Sequence, residues 1–201
     1  IPNGVNTSIY HPLNKSKLRK KYGIAQNKHV IMFAANNIKH PYKGFKYLCE
    51  ALDRIKHKEN YCLLSVGNDL KEIEKMEYDF FLPGYVSDEK VMNEMYALAD
   101  VYISVSVADT FPLVILESMA TGTPVIAFNT GGIPEIVNDE TGWIVEQRDV
   151  NSLVSVIEKV FTDNTEYANK QKKCREYVKK RFSEEIMLKE YADLYHEIYG
   201  E

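Results

Sequence analysis

Asp109 and Glu117 stand with seven residues between them, on either side of Phe111-Pro112. A carboxylate accepts two hydrogen bonds at once, so Glu117 can bind the vicinal hydroxyls of a ribose. Asp109 can hold hydroxyls of a second sugar or stabilise positive charge that develops there. Acids near a helix start also compensate the helix dipole, which would leave Asp109 a terminal charge and Glu117 a surface residue. Pro112 suits a first helical turn, and the free N–H groups around residues 111–114 then form an anion site. Lys43-Gly44 lies just before another predicted helix. A lysine there either reaches over a sheet edge to a phosphate or is solvated beside a turn. Thr130-Gly131-Gly132 offers a backbone that can approach a ligand closely. Gly84-Tyr85-Val86 can present an amide and a carbonyl to a nucleobase edge. Glu135 reads as dipole compensation rather than as a catalyst.

These residues need a scaffold, and the apolar pattern supplies one. Residues 29–35 and 61–66 are continuous apolar runs, and 79–82, 101–105, 125–128 and 142–145 complete six expected strands. Proline and glycine at 83–84 are expected to halt the third. Helices are expected at 14–22, 45–55, 71–77, 88–98, 112–121 and 132–138, and a helical tail follows from 149. Within the tail, 164–182 and 183–199 read as two helices, the last with an apolar stripe of Tyr191, Leu194, Tyr195 and Ile198 that must pack on something. Uniformly apolar strands alternating with helices indicate a parallel sheet covered on both faces. The fold class is therefore α/β, a Rossmann-like doubly wound parallel sheet of about six strands with a helical C-terminal tail. Ligands of such sheets sit outside the carboxyl ends of the strands. Residues 1–12 read as a turn-rich lead-in rather than a core element.

Composition narrows the functional classes. The 201 residues are 45% hydrophobic and 27% charged, with a net charge of −4, which suits one globular domain and gives no footprint for nucleic acid. No apolar run approaches the ~20 residues of a membrane span. Cys49, Cys62 and Cys174 have no metal-ligand or redox spacing and read as buried free thiols, which implies a cytoplasmic setting. No HExxH or other paired-histidine spacing is present, so no metal site is expected, and no GxGxxG, P-loop or GxSxG motif points to a dinucleotide cofactor, a P-loop or a hydrolase elbow. The opening residues IPNGVNTSIY lack an initiating Met and are expected to follow an earlier part of a longer chain.

In combination, these pieces resemble the C-terminal, donor-binding half of a GT-B fold glycosyltransferase, and more narrowly the retaining glycosyltransferase family 4 (glycosyl transferases group 1). The family pattern is an acid, seven residues, then E-A-M-A-x-G-x-P-V-V-A and G-G-x-x-E. Here it reads Asp109, seven residues, Glu117-Ser118-Met119-Ala120-Thr121-Gly122-Thr123-Pro124-Val125-Ile126-Ala127, then Gly131-Gly132-Ile133-Pro134-Glu135. IPNGVN is similar to the family's entry into this domain, Lys43-Gly44 to its phosphate loop, and FLPGYVSDEKVMNEMYALADVYISVS to its F-x-G-x-V…L-Y-x-x-A-D-V segment.

The resemblance implies transfer of a sugar from a UDP- or GDP-sugar to an acceptor hydroxyl, with no cofactor and no metal, in polysaccharide or glycan biosynthesis. Catalytic roles fall on Asp109, Lys43 and Glu117. Glu117 would hold the ribose and Lys43 the diphosphate, while Asp109 meets the sugar ring. Phe111, Pro112, Leu113 and Val114 would lie at the phosphates, and Gly67, Tyr85 and Val86 near the nucleoside. Asp109 replaces the family's usual Glu, and Asn37 stands where an Arg is common, with Lys39 as a substitute charge. The whole chain would be one nucleotide-sugar-binding domain, 1–12 its interdomain lead-in and 164–201 its tail. A glycan or lipid-linked acceptor would be held by an N-terminal domain outside it, so that the isolated chain is inactive. The full enzyme would be cytoplasmic, with a peripheral place at the inner membrane face. An alternative reading is a sugar-nucleotide-binding domain that has lost catalysis.

Overall fold

The computed structural model describes residues 1–37, 40–68 and 70–200. Its centre is a six-stranded parallel sheet in the order β3-β2-β1-β4-β5-β6. The strands are β1 (His29–Asn37), β2 (Tyr61–Asn68), β3 (Asp79–Gly84), β4 (Val101–Ser104), β5 (Val125–Phe128) and β6 (Gly142–Val145). This is the doubly wound order, whose topological switch lies between β1 and β4. There Ile31 pairs with Val101 and Met32 with Tyr102.

Alternation along each strand divides the core between two faces. Val30, Met32, Tyr102, Val125 and Ala127 join one cluster, while Ile31, Phe33, Ile103, Ile126 and Phe128 join the other. The helices are α1 (Lys15–Lys21), α2 (Phe45–Arg54), α3 (Glu89–Leu98), α4 (Leu113–Ala120), α5 (Ile133–Ile136), α6 (Val150–Val160), α7 (Asn164–Arg181) and α8 (Glu184–Tyr199). Five of their starts follow from the sequence, because Asn14, Asp88, Asp149, Asp163 and Ser183 each accept a hydrogen bond from a first-turn amide. α2 shows why its spacing forms a helix: Phe45, Leu48, Ala51 and Leu52 all fall on its buried face.

Four expectations need correction. The helix expected at 71–77 is instead a 3-10 turn, Leu70–Lys75; among residues 71–77 only Ile73 is deep in the core, so little packing supports a longer helix. β3 is not halted at residues 83–84 but runs through Gly84. As an edge strand it has one side without a ladder partner, so a proline is tolerated there. Pro112 is the N-cap residue of α4, one position before its first turn. The lead-in does enter the core: Val5 and Tyr10 are 4% and 5% exposed. Backbone bonds from the Val5 N–H to Phe182 O (2.9 Å) and from the Glu184 N–H to Val5 O (3.0 Å) stitch it to the α7–α8 junction. No residue of α8 is buried, and Leu188, Tyr191, Leu194, Tyr195 and Ile198 face outward, so the apolar stripe is not covered by the described residues.

Cys62 and Cys174 are buried free thiols, whereas Cys49 is only half-buried. Among the described residues no helix is long and apolar enough to cross a membrane.

Candidate functional site

A cleft of about 690 Å³ opens at the carboxyl edge of the sheet, above the β1–β4 switch. Its floor is the end of β1 and β2, its near wall the start of α4, and its far wall the β3–α3 connection. Lys43 enters from the turn before α2. Gly44 adopts φ +67°, and a Cβ there would lie 1.9 Å from Val105 O, so only glycine lets this turn close on the end of β4. That approach brings Lys43 Nζ within 3.2 Å of Asp109 Oδ2, an ion pair at the cleft wall.

Asp109 sits in the β4–α4 loop, and the glycine pair after β5 supports that loop from behind. A Cβ on Gly131 would fall 1.9 Å from Asp109 O, and one on Gly132 would fall 2.1 Å from Thr110 O. The Gly132 N–H donates to Thr110 O at 3.0 Å. This backbone, expected to approach a ligand closely, instead turns its Gly132 amide to brace the Asp109–Thr110 backbone.

α4 begins beside Asp109. The Ile115 N–H bonds to Pro112 O at 3.1 Å, so the helix positive end, with the amides of Leu113 and Val114, lies at the cleft wall. Val114 lines the cleft. The side chains of Phe111, Pro112 and Leu113 do not: the Phe111 ring packs edge-on to Phe182 at 5.7 Å, and Leu113 is exposed. Pro112 has no N–H to offer. Any contribution of residues 111–113 to a ligand here is therefore from backbone.

One turn into α4, Glu117 points into the cleft, and its Oε2 accepts from the Tyr96 hydroxyl at 2.9 Å. Burial pushes its carboxyl above the usual carboxylate range, partly opposed by the Tyr96 hydrogen bond; nearby Glu89 adds to the rise and the Tyr10 hydroxyl opposes it. No cation pairs with Glu117 among the described residues.

The cleft also gathers Asn37, Gly67, Tyr85 and Val86 from the ends of β1, β2 and β3. Tyr85 is largely exposed at the rim. Lys39 lies outside the described residues. Among the lining residues not anticipated are Tyr10 and Tyr96. A signal existed for Tyr96: a tyrosine on a helix face that must cover the sheet needs a partner for its hydroxyl. Tyr10 had none, since it lies in a turn-rich stretch.

A family model described as glycosyl transferases group 1 matches residues 14–181. The N-acetyl-alpha-D-glucosaminyl L-malate synthase of Bacillus anthracis is 24% identical over 205 residues, covering 98% of this chain and 53% of its own. Sucrose-phosphate synthase from Thermosynechococcus elongatus superposes with a TM-score of 0.87 at 25% identity, over 100% of this chain and 52% of its own. HepE of Anabaena, solved in complex with UDP, has a TM-score of 0.84 at 22% identity, over 96% of this chain and 56% of its own. The chain thus spans about half the length of the relatives it matches.

Proposed function

The chain belongs to the glycosyl transferases group 1 family, and from that premise we propose that it is the donor-binding half of a retaining glycosyltransferase that uses a nucleotide-diphosphate sugar. The observation that carries this reading is one cleft holding a cation, a helix N-terminus and an acid that has no cationic partner among the described residues. Lys43 and the α4 amides suit a diphosphate. Glu117, placed one turn further along α4, suits the two hydroxyls of a ribose. The backbone of residues 84–86 and the end of β2 are left for the base.

In the reaction proposed, the bond between the anomeric carbon and the diphosphate oxygen breaks through an oxocarbenium-like transition state. The acceptor oxygen bonds to that carbon on the face the diphosphate leaves, and its proton passes to the departing phosphate. Lys43 and the α4 N-terminus meet the charge that grows on the leaving group. A diphosphate also competes for Lys43, which releases Asp109 to the hydroxyls of the sugar ring. Acceptor binding is assigned to the portion of the longer relatives that this chain does not span, in glycan assembly at the cytoplasmic side.

The test is a thermal-shift panel of UDP, GDP and ADP against the wild-type chain and Glu117→Ala. At least one nucleotide should raise the melting temperature, by mass action on the folded state, and the shift should shrink in the variant. A shift unchanged by Glu117→Ala would remove the ribose assignment.

A further inference from the structure

Glu117 is bonded by one tyrosine hydroxyl, and a second tyrosine from a separate part of the chain lines the same cleft. Tyr96, on α3, donates to Oε2 at 2.9 Å. Tyr10, in the lead-in, packs its ring edge-on to Tyr96 at 6.1 Å and lines the same cleft. Tyr96 in turn meets Tyr102 edge-on at 5.7 Å. Ring packing accounts for the burial of these side chains, and phenylalanine would pack in the same way. The Tyr96 hydroxyl needs another explanation, because a buried hydroxyl is retained only with a partner, and here that partner is Glu117.

The chemistry of the partner matters. A lysine or arginine beside Glu117 would form an ion pair and occupy both oxygens. A phenol donates one hydrogen bond, fixes the rotamer and leaves the remaining lone pairs for a diol. Burial, together with Glu117 itself, also raises both phenols above the usual tyrosine range, so they remain donors at every working pH.

Tyr10 is itself firmly seated. Arg175 Nη1 donates to its carbonyl at 3.2 Å, and the His11 N–H donates to Asn93 Oδ1 at 3.0 Å, tying the lead-in to α7 and α3. We propose that Tyr96 and Tyr10 are positioning residues that hold the Glu117 carboxylate to read the 2′-hydroxyl of a ribonucleoside diphosphate, with Tyr10 linking that contact to the seating of the lead-in. This rests on the donor-cleft reading above.

The experiment is calorimetric titration of the chain with UDP, GDP and ADP and with the 2′-deoxy form of each. Wild type, Tyr96→Phe, Tyr10→Phe and Glu117→Ala are compared, and circular dichroism verifies folding. The wild type should prefer the ribonucleotide. Tyr96→Phe should cut that preference by about fivefold, the worth of one hydrogen bond, Tyr10→Phe should cut it by less, and Glu117→Ala should abolish it. Equal losses for ribo and deoxy forms in both phenylalanine variants, or no change in either, overturn the proposal while Glu117→Ala still supports the ribose reading. If Glu117→Ala keeps the preference, or no nucleotide binds the wild type, the ribose reading fails and this inference falls with it.

Discussion

A buried carboxylate and a half-buried one lie at opposite ends of the switch region, and they are treated in opposite ways. Asp100, at the foot of β4, has Arg19 Nη2 at 2.6 Å and Lys15 Nζ at 2.8 Å, and accepts from the Val30 N–H at 2.7 Å. The Tyr167 hydroxyl donates to its main-chain oxygen at 2.9 Å. Burial alone would raise its pKa, but Lys15 and Arg19 outweigh burial and hold the carboxyl below the usual range. Glu117, at the top, has the Tyr96 hydroxyl and no cation among the described residues, and burial raises its pKa.

The difference teaches what each acid is for. Asp100 ties α1, β1, β4 and α7 together and has no acceptor capacity to offer a ligand. Glu117 keeps such capacity at the expense of the folded state, which is how binding sites commonly trade stability for function.

Breaking the lower cluster should have the largest effect. Asp100→Ala strands the buried Arg19 guanidinium and should destabilise the fold by about 3 kcal/mol or more, read as a lowered urea midpoint with an unchanged slope. Glu117→Gln should do the reverse: stability equal to wild type or higher by up to about 1 kcal/mol, while nucleotide affinity falls by about tenfold in calorimetry. Loss of stability comparable to Asp100→Ala would end the contrast.

The pH dependence should sharpen it. Asp100 has a depressed folded pKa, so its contribution is present above the unfolded value of about 3.9 and disappears as pH falls through the folded pKa beneath it. Glu117 has a raised folded pKa, so its contribution is present below the unfolded value of about 4.3 and is lost as pH rises through the folded value above it. The stability advantage of Glu117→Gln over wild type should therefore grow as pH rises from about 4, and Asp100→Asn should lose most of its deficit in strong acid. Denaturant midpoints across pH test both signs.

The smallest effect on stability belongs to Lys43→Ala. Its ion pair with Asp109 is partly solvated, so the fold should change by under about 1 kcal/mol. Nucleotide diphosphate binding should nevertheless weaken and lose part of its salt dependence, measured by titration at two ionic strengths.

Most of the sheet was legible because its strands are buried on both faces and read as unbroken apolar runs. β3 and the turn after β2 were less so: an edge strand and a short charged segment are shaped by which side meets solvent, and no local pattern records that. At the site, Lys43-Gly44 and the Asp109–Glu117 spacing were legible as local punctuation at strand ends. The brace of Gly131-Gly132 behind Asp109 was not, because it depends on which loop the next strand end meets.

The sequence by itself determined the alternation of strands and helices, the glycines and prolines that end them, and the set of acids and cations at their ends. It did not record how the acids are partnered, since Asp100 and Glu117 each read locally as a single acid beside an apolar run. Tertiary structure decided that Arg19, from a helix that reads simply as basic, turns inward to one, and that Tyr10 and Tyr96 close on the other. The reason is physical: the charge state and free valence of a buried acid are set by groups within a few ångströms, and here those come from elements far apart along the chain.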